Sequence, residues 1–157
     1  MRKAFALATV VSALLLSVTP AAASQPLSVT IDVFNLVEDN VIVSSQFFAV
    51  GPAVAAGLLC GSGTVTDDSS SASGPPDWQR QNFNVVKHFE CDDDSGSFTA
   101  RLSVHAIFDP EFSVTGQWDV LEGTGNYAAL HGAGSLVATW DTDSVLHDVY
   151  TGSVHID

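Results

Sequence analysis

Apolar residues recur at every second position through most of this chain. Phe98, Ala100, Leu102, Val104, Ala106 and Phe108 form one row, and Thr99, Arg101, Ser103 and His105 form the other. A period of two is that of a strand with one buried face, which puts the apolar row inward. Phe112, Val114, Trp118 and Val120 repeat the row with Gly116 in line, opposite Thr115, Gln117 and Asp119. Similar readings predict strands at 27–35, 41–50, 60–67, 82–91, 96–108, 112–122, 134–141 and 147–156. Helical periodicity is nearly absent after residue 24. About eight antiparallel strands in one small all-β domain fit a barrel or a sandwich. A closed barrel leaves no sticky edges.

Some segments break the alternation. Residues 67–77 read Asp-Asp-Ser-Ser-Ser-Ala-Ser-Gly-Pro-Pro-Asp. Small polar residues and a Pro pair add nothing to a core, so a mobile surface loop is expected there. Residues 52–59 are Ala/Gly-rich and read as a loop or a short turn. Asp109-Pro110 reads as a tight turn between two long strands.

The amino terminus follows a different rule. Arg2 and Lys3 precede an apolar stretch at 4–18, then Pro20 and the small residues Ala21, Ala22 and Ala23. This is the layout of a cleavable signal peptide over 1–23, with the mature chain starting near Ser24. The apolar stretch is short for a membrane span, and no later segment repeats it. Residues 24–157 are then one ordinary domain, secreted and extracellular.

Charge narrows the partners. The formal net charge is -13, and removal of Arg2 and Lys3 makes it two charges more negative. Such a chain repels nucleic acid and anionic membrane surfaces, so neither is an expected partner. The two cysteines, Cys60 and Cys91, form an even pair in an exported chain and predict one disulfide. In the chain-entropy account a loop of that length stabilises the fold by about 3–4 kcal/mol.

Several stretches carry a resemblance. Cys60-Gly61-Ser62-Gly63-Thr64-Val65-Thr66-Asp67 is followed by Val86-Lys87-His88-Phe89-Glu90-Cys91-Asp92-Asp93-Asp94-Ser95-Gly96-Ser97-Phe98. Then come Gly123-Thr124-Gly125-Asn126-Tyr127-Ala128-Ala129-Leu130-His131-Gly132-Ala133-Gly134 and Tyr150-Thr151-Gly152. Over residues 60–157 the chain resembles secreted actinobacterial proteins of unassigned function. The glycine-rich stretch resembles the allene oxide cyclase-like and dirigent-like β-barrels. That resemblance implies an eight-stranded antiparallel barrel whose interior is an apolar pocket with a few polar groups. It also implies self-association, since the plant members are dimers or trimers. The motif has a physical reading of its own. Gly123 and Gly125 permit a turn, Tyr127 and Leu130 pack back onto the barrel end, and Gly132 and Gly134 let the next strand approach its neighbour closely.

Candidate chemistry is sparse. Lys87, Arg101 and His105 are the polar residues of most interest. Arg101 and His105 share a strand face and Lys87 lies on the neighbouring segment. Facing inward, the three would bind an anionic or enolate-like group, with Tyr127 near the barrel end. Facing outward, they are solvated, and the apolar row opposite them favours that side. Asp92, Asp93 and Asp94 cluster in a turn that reads as an acidic hairpin or a weak calcium site. His131, His147 and His155 show no zinc spacing, and no nucleophile elbow or cofactor motif occurs, so no cofactor is expected. These features predict a secreted binding module for a small hydrophobic or aromatic molecule. The alternatives are an isomerase or cyclase acting in the barrel interior and a structural protein with a filled core.

Overall fold

The structure is a computed structural model, described for residues 25–157; the signal peptide assigned to 1–23 lies outside the described residues. Eight strands form a closed antiparallel barrel in chain order: β1 Leu27–Glu38, β2 Val41–Val50, β3 Ser62–Ser73, β4 Arg80–Cys91, β5 Ser97–Ile107, β6 Ser113–Gly123, β7 Leu130–Thr142 and β8 Val145–Ile156. β1 closes on β8 from Leu27↔Val154 to Leu36↔Val145. Asp39 and Asn40 both take positive φ, the requirement of a two-residue hairpin turn between β1 and β2.

The inward rows follow the alternation. Val29, Ile31, Val33 and Asn35 point inward from β1, and Ala100, Leu102 and Ala106 from β5. Phe89 and Phe98 stack at 4.6 Å, with Phe47 edge-on to both and Tyr150 edge-on to Phe89. Trp118 lies against Gly134 and Gly152, where an added Cβ would come within 2.7 Å of the indole. These glycines therefore make a slot for a large ring as well as a close strand contact.

The two barrel ends differ. One is closed by the short helix α1 Pro52–Ala55, by Leu59, and by Tyr127 on a 3-10 turn at Gly125–Tyr127. Tyr127 and Leu130 pack onto that end as the motif implied, and β7 begins at Leu130, earlier than the predicted 134. The Cys60–Cys91 disulfide is formed there, with Cα atoms 6.1 Å apart. The other end is open and rimmed by rings: Phe83, Phe108, Phe112 and Trp140 follow one another at 5.6–6.4 Å. Phe108 and Trp140 remain 44% and 43% exposed, so they line the mouth instead of filling the core.

Residues 67–73 correct the loop reading. They are strand, continuing β3 past a register shift at Asp67/Ser69 and pairing with β4 as far as Ser73↔Asn82. Their side chains are exposed, so small polar residues suffice once a neighbouring backbone supplies the hydrogen bonds. β2 and β3 meet over only Gln46↔Thr64, Phe47↔Gly63 and Phe48↔Ser62. Beyond Thr64 the two strands diverge, which opens a lateral seam toward the mouth.

Candidate functional site

Behind this seam sits a polar cluster inside an apolar barrel. Asp67 and Lys87 face each other across β3 and β4, with Nζ 2.6 Å from Oδ1. Lys87 is 5% exposed, while the Asp67 side chain is 41% exposed at the seam. Asp148 is buried on β8 and accepts a hydrogen bond from Asn35 Nδ2 at 3.1 Å. Ser45 Oγ donates to Asn35 Oδ1 at 2.7 Å. Five strands, β8, β1 and β2 on one side of the seam and β3 and β4 on the other, thus deliver polar groups to one interior region.

Burial pushes the Asp148 carboxyl above its ordinary value, opposed by the Lys87 charge and the Asn35 hydrogen bond. Tyr150, two residues on and on the same face, is 1% exposed. Burial first, then the charges of Asp148 and Asp67, hold its phenol well above the usual range. Its hydroxyl lies toward the Asp148 carboxyl but completes no hydrogen bond within 3.5 Å, alone among the buried side chains of the described residues. A buried donor left unmet costs about 1–3 kcal/mol, so such a group is a marker for a missing partner.

Toward the mouth the inward rows continue with Val85, Val104, Val114 and Leu146, which are only partly buried. The aromatic rim stands above them. Gln81 Nε2 donates to Pro75 O at 2.9 Å and ties the β3–β4 turn to this end.

The four residues singled out from sequence are not brought together. Lys87 is inside. Arg101 points outward and pairs with Asp119, with Nη2 to Oδ2 at 2.9 Å. His105 also points outward, its Nδ1 3.0 Å from Asn82 Oδ1. The reason is the parity of β5, which commits its even row to the core. Tyr127 is buried at the closed end, where its hydroxyl meets Ser95 Oγ at 2.7 Å and its ring meets Phe98. Sequence reasoning passed over Asn35, Ser45, Asp67, Asp148 and Tyr150. A signal existed for Asn35, Lys87 and Asp148: each is a polar residue standing in an apolar period-two row.

The outer face carries a groove of about 490 Å³ across β4, β5, β6 and β7. One wall is the cross-strand row Asn82, His105, Thr115 and Val137. The other is Asn84, Ser103, Gln117 and Ser135. Elsewhere, Asp93 is held below the usual carboxylate range by hydrogen bonds from the Ser95 side chain and backbone. Asp92 accepts from Ser62 Oγ at 2.8 Å. Among the described residues no group of His, Cys, Asp and Glu is arranged to hold a metal, and no helix is long and apolar enough to cross a membrane. No family model, curated protein or solved structure matches the chain.

Proposed function

We propose that this is a secreted binding module whose barrel mouth takes a small aromatic or apolar molecule bearing one polar group. The observation that carries the reading is the Tyr150 hydroxyl, buried beside Asp148 without completing a hydrogen bond within 3.5 Å. A ligand oxygen reaching this interior cluster from the mouth would satisfy it. The apolar part of the ligand would lie against Val104 and Val114 and under the Phe108–Phe112–Trp140 rings. Sites of this kind combine apolar walls with a few convergent polar groups. The disulfide and the amino-terminal pattern support export. The acidity of the chain supports a partner other than nucleic acid or an anionic membrane.

An allene oxide cyclase-like or dirigent-like activity is the second reading. What favours it is a carboxyl raised above its ordinary value by burial, Asp148, next to a phenol in an apolar barrel. The test is mass spectrometry of organic extracts of the protein recovered from culture medium. An aromatic or apolar compound is expected at a substantial fraction of one per chain. Tyr150→Phe should lower its retention up to about tenfold, the worth of one hydrogen bond. Folded wild-type protein that yields no such compound leaves a structural protein with a filled core.

A further inference from the structure

We propose that the groove on the outer face of β4–β7 is a second binding site, for a short run of a neutral polysaccharide. The side chains of the two groove walls point outward from the barrel, away from the mouth, and the groove shares with the mouth only Phe83 and Val104, between those walls.

The chain carries a net charge of -13, yet neither wall of the groove contains an Asp, Glu, Lys or Arg. The ion pair Arg101–Asp119 lies one row beyond it. A charge-free surface on a strongly acidic protein favours a neutral partner and disfavours an anionic polymer.

An amide oxygen only accepts, so the His105–Asn82 contact makes His105 Nδ1 the donor. In the neutral ring Nε2 is then an acceptor, and Asn82 Nδ2 keeps its own donors. On the facing wall Ser103 Oγ donates to Asn84 Oδ1 at 3.3 Å, which turns the Asn84 amide nitrogen outward as a donor. Gln117 adds one donor group and one acceptor. Both walls therefore offer donors and acceptors side by side, held in orientation by bonds within each wall. Hydroxyl groups both donate and accept, so a polyhydroxylated chain matches this alternation.

The groove runs perpendicular to four strands, and three inter-strand spacings make it about 14 Å long. That length suits a short stretch of linear glycan, and the repeat of side chains along each wall suits a repeating ligand. An extended polypeptide would be expected to seek unpaired strand edges, and these four strands are paired along the groove.

Affinity electrophoresis of the mature protein tests the proposal. Native gels are cast with hydroxyethylcellulose, glycogen or galactomannan, and with alginate or gelatin for comparison. Retardation is expected in at least one neutral polysaccharide and is expected to survive added salt. Asn84→Ala with Gln117→Ala, both exposed, should weaken it about tenfold or more. Tyr150→Phe should leave it unchanged, which separates this site from the mouth. No retardation in any of the three neutral gels overturns the proposal. So does retardation that the Asn84/Gln117 variant retains, or that appears only with alginate or gelatin.

Discussion

Asp148 is a carboxyl that gains little from being ionised in the fold. Its folded value lies above the ordinary 3.8 because burial outweighs the Lys87 charge and the Asn35 hydrogen bond. The native state therefore holds this proton more tightly than the unfolded chain does. Its contribution to stability is complete below about 3.8 and declines as pH rises through the raised folded value. Asp148→Asn removes that decline. The variant should gain melting temperature over wild type at pH 7 and little or nothing at pH 4, measured by calorimetry in matched buffers. Each kcal/mol corresponds to about 3–5 °C for a domain of this size. An equal difference at both pH values would count against a tightly held proton. Lys87→Met should act in the opposite direction at pH 7, by about 2–3 kcal/mol. That is below the full cost of breaking a buried pair, because Asp67 is partly solvated.

The strands were legible from sequence wherever a row was uniformly apolar. Phe98, Ala100, Leu102 and Ala106 announce β5, and their parity alone sends Arg101 and His105 outward. Residues 67–73 were not legible, because their pairing is made by backbone atoms while their side chains report only solvent. The same limit hid the candidate site. Asp67 reads as the start of a polar run, and only its register opposite Lys87 turns it inward. Two expectations belong to the elements themselves. Amides of β2 at 41–45 and of β3 at 66–73 lack a partner strand on one side, and should exchange with deuterium before those of β4, β5 and β8. Gly134→Ala should cost about 2–3 kcal/mol in denaturant unfolding, since its Cβ would lie 2.0 Å from the Thr151 carbonyl as well as against Trp118.

At the scale of the molecule, one end of the barrel is plugged and crosslinked while the other holds the open mouth, the seam and the aromatic rim. Rigidity and access are thereby separated along the barrel axis. The disulfide sits at the plugged end, yet the hairpin it subtends reaches the opposite end at the 74–79 turn. Exposed Arg80 borders that turn, whereas Lys87 is buried and Arg101 is within a strand. Limited trypsin digestion is therefore expected to cut first after Arg80. The nick would fall between Cys60 and Cys91, so it frees no fragment: one band without reductant, two with it. A cell-surface or extracellular protease that reached this hairpin would interrupt the backbone and leave the two pieces covalently joined.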